Sequence, residues 1–302
     1  YLASCIGESY HNARICSMHG KEIVNLAEII RTEKKTFLLM SGVKDVRRLG
    51  QMLSEAGLND CVVVAGYQLS YPEQKIRELS PEECRTLEQE GLYICLIKNP
   101  RAAAGYAVHG MADAEFIRGK VPMTKAEVRE VSICKMRLRT DSVLYDIGGG
   151  TGSVSIEAAG LSENITVYTI EQKEEAFALI EENKKKSGLE NIKVIRGAAP
   201  EAMQDLPVPT HAFIGGSGGK LKEILNVLYQ KNPKMRVVIN AISLETISEL
   251  KMILEEYPVQ NEEIIQMQVN RTKKAGKYHL MQAENPVWIC SFAFGEEREN
   301  ED

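Results

Sequence analysis

Hydrophobic positions along the chain recur with two alternating periods. Thr36-Phe37-Leu38-Leu39-Met40 and Cys61-Val62-Val63-Val64-Ala65 are short apolar runs of strand type, and between them Val46, Leu49, Met52 and Leu53 recur at helical spacing. Residues 1–98 therefore read as α/β material. The breaker cluster Asn99-Pro100-Arg101-Ala102-Ala103-Ala104-Gly105 interrupts the pattern, which restarts near Glu115. A boundary is expected there, giving domains of 1–105 and 106–302.

From residue 124 the alternation becomes regular. Helices are expected near 124–134, 151–160, 172–187, 219–230 and 243–256, and strands at 142–147, 165–170, 192–195, 211–214 and 235–239. Strands separated by helices in this way predict a doubly wound parallel sheet. Segments 263–269, 278–281 and 287–292 have no helix between them and are expected as antiparallel strands closing one edge. The acidic end, 296–302, reads as a solvated tail.

Charge and cysteine usage narrow the function classes. The 302 residues carry 37 Lys and Arg against 42 Asp and Glu, a net charge of −5. A nucleic-acid partner is not expected, because phosphate binding needs a positive field. Nor is a membrane partner, since apolar stretches such as Leu92 to Ile97 fall far below the roughly 20 residues that span a bilayer. Seven cysteines without Cys-x-x-Cys spacing suggest neither a disulfide framework nor zinc, and a reducing, cytoplasmic setting is expected. The histidines show no paired ligand spacing, so no metal is implied. The chain opens on Tyr1 with no charged-then-apolar leader, so further residues upstream are expected.

Asp146-Ile147-Gly148-Gly149-Gly150-Thr151-Gly152 follows one expected strand and opens an expected helix. Glycines let the backbone turn tightly and approach a ligand, and the helix start offers unpaired N–H groups. Glu171 ends the next strand, 19 residues past Gly152, where an acid can take both hydroxyls of a ribose. A dinucleotide fingerprint wants G-x-G-x-x-G/A, and Ser153 breaks it at the third position, which disfavours a nicotinamide-linked oxidoreductase. The acid-x-Gly-x-Gly-x-Gly spacing fits S-adenosylmethionine better, with Asp146 placed to orient its ammonium group through the loop or a water. The bland alternative is a glycine-rich turn without a ligand.

Together with Pro122-Met123-Thr124-Lys125, Gly197-Ala198-Ala199-Pro200-Glu201-Ala202, Gly215-Gly216-Ser217-Gly218-Gly219 and Asn285-Pro286, this loop makes residues 115–293 resemble the decarboxylating cobalt-precorrin-6B carbon-15 methyltransferases of cobalamin biosynthesis. Residues 1–98 resemble the C-terminal half of the precorrin-6Y carbon-5 methylases, through Ala13-Arg14-Ile15-Cys16-Ser17-Met18-His19-Gly20 and Gly66-Tyr67-Gln68-Leu69-Ser70-Tyr71-Pro72-Glu73. The two are known fused, as bifunctional precorrin-6Y carbon-5,15 methyltransferases. The resemblance implies a class I methyltransferase fold of Rossmann-like type, preceded by a partial α/β tetrapyrrole-methylase subdomain. It also implies a homo-oligomer, a tetramer for the carbon-15 domain, a precorrin or cobalt-precorrin substrate, and S-adenosylmethionine held by Thr124, the backbone of Gly148 to Gly152, Glu171 and Ala199. The chain departs from the pattern in two places. The glycine-proline cofactor loop of the carbon-5 methylases is not found in these residues, and Ala198 stands where relatives often carry an acid.

The second glycine run, with Gly215, Gly216, Ser217 and Gly218, again follows a strand and could floor a substrate cleft. Bases cluster at 118–139 and again at Arg271, Lys273, Lys274, Lys277 and His279, and a polycarboxylate such as a precorrin would be held by charge-assisted bonds from such groups. Arg271 and His279 are the substrate candidates there. The bland reading is a solvated face. No acid or base stands out for catalysis, and carbon methylation of an electron-rich macrocycle chiefly needs orientation and exclusion of water. A class I methylase acting on RNA or another small molecule, and a noncatalytic scaffold, remain as alternatives.

Overall fold

Apolar alternation in the first hundred residues builds a sheet with a helix-covered face. In the computed structural model, which describes residues 1–18, 25–102 and 110–295, the elements are α1 (Leu2–Cys5), β1 (Arg14–Ser17), α2 (Leu26–Thr32), β2 (Lys35–Met40), α3 (Val43–Glu55), β3 (Val62–Tyr67), β4 (Lys75–Leu79), α4 (Pro81–Arg85) and β5 (Tyr93–Lys98). The sheet order is β1-β2-β5-β3-β4, with β1 and β2 parallel and the other pairs antiparallel. Leu38 and Met40 turn to the face covered by Val43, Val46, Leu49 and Leu53 of α3, while Phe37 turns to the opposite face with Leu2, Val64 and Leu96. The period of two along β2 thus sorts its residues into two cores. His19 and Gly20, the boundary residues Ala103 to Gly105, and the acidic end at 296–302 lie outside the described residues.

The later residues form α5 (Ala126–Met136), β6 (Val143–Ile147), α6 (Ser153–Gly160), β7 (Thr166–Glu171), α7 (Glu174–Ser187), β8 (Ile192–Arg196), β9 (His211–Ile214), α8 (Leu221–Lys231), β10 (Arg236–Ala241), α9 (Leu244–Leu254), β11 (Val259–Met267), β12 (Asn270–Ala275), β13 (Tyr278–Ala283) and β14 (Val287–Phe294). Seven described strands lie in the order β11-β14-β10-β9-β6-β7-β8. Those from β8 to β10 are mutually parallel, and β14 runs antiparallel between β10 and β11. This is the Rossmann-like, doubly wound class I methyltransferase sheet. The chain divides into two compact units, Tyr1–Ala107 with Lys184–Glu190 and Val108–Asn183 with Asn191–Asp302.

The edge is antiparallel as expected, with β14 pairing antiparallel to both β10 and β11, and differs from expectation in one respect. The segment expected as a third edge strand, β13, instead pairs with β12 in a separate hairpin. Every residue of β12 and β13 is exposed. β12, Asn-Arg-Thr-Lys-Lys-Ala, is mainly polar, and Tyr278, Leu280 and Met281 of β13 stand exposed.

Leu221, Ile224, Leu225 and Leu228 recur along one stripe of α8 and are fully buried against Ile147, Ile214, Val237 and Ile239 of the sheet. Among the described residues no helix is long and apolar enough to cross a membrane. Leu225→Ala is expected to lower the unfolding free energy by about 2–5 kcal/mol in denaturant titration. A loss below about 1 kcal/mol would mean that this face is not close-packed.

Candidate functional site

Strand order reverses between β6 and β9: the chain runs outward through β7 and β8, then returns to β9 on the other side of β6. Open α/β sheets bind ligands at such a point, beyond the carboxyl ends of the strands. Both glycine runs emerge there. Gly148 has φ +75°, and a Cβ on it would stand 2.7 Å from the Gly216 carbonyl oxygen, so the two loops pass in backbone contact. Gly149 is bare for another reason: a Cβ there would meet Thr169 Cγ2 at 2.3 Å. The amides of Gly148 and Gly149 both donate to the Ile170 carbonyl, and Gly152 N–H donates to the Gly149 carbonyl at 2.8 Å before α6 begins. Gly149, Gly150, Thr151 and Gly152 therefore shape the turn.

Glu171 is the last residue of β7 and is 7% exposed. Its Oε2 accepts from Gly150 N–H at 3.0 Å and its Oε1 from Lys173 N–H at 2.9 Å. Each carboxylate oxygen keeps acceptor capacity beyond its one backbone bond, which suits a vicinal pair of hydroxyls. The cleft before it, open to solvent, is lined by Ile147, Gly148, Ile170, Glu171, Gln172, Gly197, Ala198, Ala199, Gly216, Ser217, Gly218 and Lys220. Its fourth wall is the turn after β8, tied to β7 by Gly197 N–H donating to the Glu171 carbonyl at 3.0 Å.

The structure thus brings Gly148, Glu171, Ala199, Gly216, Ser217 and Gly218 together at one cleft, and leaves others of the candidate set apart from its described lining. Gly215 continues the sheet, its N–H donating to the Ile147 carbonyl at 2.9 Å. The Thr124 carbonyl accepts from Arg129 at 2.7 Å. Thr151 is fully buried, its carbonyl accepting from Asn183 at 3.0 Å. Arg271 is not a free cation, because its guanidinium is engaged by both Glu127 and Glu284. His279 stands exposed on the β12–β13 hairpin opposite Lys274.

Gln172 and Lys220 line the cleft without having been singled out from the sequence. The available signals were adjacency to the strand-end acid and to the second glycine run. Lys220 donates to Glu201 Oε1 at 2.6 Å, so the cation is neutralised beside the cleft. Among the described residues no group of three or more His, Cys, Asp or Glu could hold a metal ion.

Asp146 also lies outside the cleft lining. It is 1% exposed and its Oδ2 accepts from the Ser155 hydroxyl on α6, whereas Oδ1 has no hydrogen-bond partner among the described residues. A buried acceptor thus remains at the base of the loop for a donor such as a water or an ammonium group, so the residues present fit an aminoacyl nucleoside cofactor. Burial pushes the Asp146 carboxyl up to about 6; the Ser155 hydroxyl opposes the rise and the Glu171 charge adds to it.

Because the folded state holds this proton more tightly than the unfolded chain, the group's stabilisation is complete below its unfolded pKa and is lost as pH rises through about 6. Asp146→Asn removes this titration. In cofactor-free protein, the stability of the variant relative to the parent should climb between about pH 4 and 6 and level off above about 7 in denaturant titrations at stepped pH. A difference that stays flat across that window would contradict the assignment.

The family described as precorrin methyltransferase domain matches residues 115–293. A probable cobalt-precorrin-6B C(15)-methyltransferase (decarboxylating) of Pyrobaculum calidifontis is 40% identical over 189 residues, covering 62% of this chain and 96% of that protein. The cobalt-precorrin-6B C(15)-methyltransferase (decarboxylating) of Salmonella typhimurium is 34% identical over 183 residues, or 60% of this chain and 94% of that protein. Among solved structures, a precorrin-6y C5,15-methyltransferase from Geobacter metallireducens superposes with a TM-score of 0.58 at 37% identity, over 63% of this chain and all of that one. With a match over more than half its length, and a sheet, loop and strand-end acid of the class I methyltransferase type, the chain belongs to the precorrin methyltransferase domain family.

Proposed function

We propose that residues 106–302 bind S-adenosylmethionine in the cleft between the two glycine loops and methylate carbon 15 of a precorrin or cobalt-precorrin, with loss of the ring C acetate carboxyl as carbon dioxide. The observation that carries this reading is the Glu171 carboxylate, fixed by the Gly150 and Lys173 amides at the mouth of the cleft between the two glycine loops. The names of the relatives support the substrate class. In this reading residues 1–105 are the C-terminal subdomain of a carbon-5 methylase plus a linker, and the full-length protein would methylate carbon 5 as well.

S-adenosylmethionine, when bound, supplies an electrophilic methyl group. The chain's own part is to hold and orient. Glu171 accepts from the ribose hydroxyls, Ala198 and Ala199 offer a small apolar wall for the base, and the free Asp146 Oδ1 takes a donor from beneath the loop. The second glycine run, with no side chain but that of Ser217 over four residues, lets a flat macrocycle approach closely. A substrate that stabilises charge in its own conjugated ring leaves the protein chiefly with alignment and exclusion of water.

Glu171→Ala is expected to weaken binding of S-adenosylhomocysteine by about 10- to 100-fold in calorimetry, since it removes charge-assisted bonds to the hydroxyls and frees the Gly150 amide. Equal affinity in parent and variant would overturn the site. For the reaction, the chain is incubated with cobalt-precorrin-6B and methyl-labelled S-adenosylmethionine. Label in the tetrapyrrole together with a mass loss of one carboxyl is the expected product, and methyl transfer without that loss would remove the decarboxylating half of the reading.

A further inference from the structure

Residues 110–125 reach α5 with little regular structure, containing a 3-10 turn at Asp113–Glu115. They nevertheless lie against the first glycine loop: a Cβ on Gly150 would stand 2.8 Å from the Pro122 carbonyl oxygen. Three buried polar side chains hold this strap in place.

Arg129 of α5 is wholly buried. Its Nε donates to Glu157 Oε2 at 2.6 Å, Nη1 donates to the Thr124 carbonyl at 2.7 Å and to Asp113 Oδ1 at 3.3 Å, and Nη2 donates to the Met111 carbonyl. Glu157 of α6, 3% exposed, accepts on its other oxygen from the Gly110 amide at 2.8 Å and from the Met111 amide. Asn183 of α7, 2% exposed, accepts from Ile117 N–H at 2.7 Å and donates to the Ile117 carbonyl at 2.9 Å. The same Asn183 amide donates to the Thr151 carbonyl at 3.0 Å, so one side chain joins strap to loop directly.

A buried ion pair is a poor way to gain stability, because desolvation offsets its attraction and an apolar pair of similar volume often does as well. What this pair supplies is geometry. Arg129 and Glu157 bond to the backbone at both ends of the strap, and Glu157 sits on the helix that the glycine loop opens.

We infer that Arg129, Glu157 and Asn183 are positioning residues of the cofactor site, clamping the 110–125 strap onto the glycine loop so that the loop is held in its binding shape before a ligand arrives. The inference rests on the proposed function for the ligand's identity, and on the geometry alone for the coupling of strap to loop. Releasing the clamp loosens the loop, although none of the three side chains lines the cleft.

The test compares the parent chain, Asn183→Ala, and the apolar double replacement Arg129→Met with Glu157→Leu. Amide hydrogen exchange in the ligand-free proteins reads the coupling, and calorimetry with S-adenosylhomocysteine reads its effect on binding. Asn183→Ala should speed exchange at Ile117 and at Gly150 and Gly152 together by about 10-fold or more, leave β9 and β10 amides at parent rates, and weaken binding by about 10-fold. The double replacement should melt below the parent, because it also unpairs the Gly110 and Met111 amides and the Met111 and Thr124 carbonyls, and should bind weakly. Fast strap amides beside glycine-loop amides that keep parent rates would overturn the inference, as would a double replacement that recovers stability and affinity together. If the parent itself fails to bind the ligand, the proposed function falls, while the exchange rates still decide whether strap and loop are coupled.

Discussion

The site depends on two backbones crossing at one point. Where strand order reverses between β6 and β9, the loops leaving both strands must share the carboxyl edge of the sheet, and they do so with Gly148 against Gly216. A side chain on Gly148 would force them apart. This contact leaves a cleft walled by backbone on two sides, and the end of β7 sets an anchored carboxylate at its mouth. The glycines therefore serve differing ends, close approach of the two loops at Gly148 and packing on Thr169 at Gly149.

The two acids near the loop divide their roles through burial. Glu171 has backbone amides on both oxygens and faces the cleft, whereas Asp146 lies under α6 with one oxygen on Ser155. A carboxylate without compensating donors is costly to bury, and so the Asp146 proton is held into the mildly acidic range. The Glu171 charge so close by adds to that rise. The pair thus leaves one anchored acceptor at the cleft and one buried acceptor beneath the turn.

The central parallel strands are legible because each is a short, mostly apolar run between helical stretches, as suits a strand buried on both faces, while the edge strand β8 leaves Lys193 and Arg196 exposed. The strand-end place of Glu171 follows from the same pattern, since the last residue of a parallel strand lies at the ligand edge. β12 is not legible: Asn-Arg-Thr-Lys-Lys-Ala carries no apolar alternation, Thr272 is its one β-branched residue, and its hairpin pairs outside the main sheet. The orientation of Asp146 and the pairing of Arg271 with Glu127, 144 residues away in sequence, are tertiary facts with no local signature. In sequence Arg129 is one more base of the 118–139 cluster, and only the fold places Glu157 beside it.

In the proposed site the ligand seats between the two glycine loops with its ribose on Glu171. The most direct test of this seating is a crystal structure of the chain soaked with S-adenosylhomocysteine. Both ribose hydroxyls are expected within about 3.2 Å of the Glu171 carboxylate oxygens, and the base against Ala198 and Ala199. Ligand density elsewhere, or a ribose that leaves Glu171 bonded to the Gly150 and Lys173 amides alone, would contradict it.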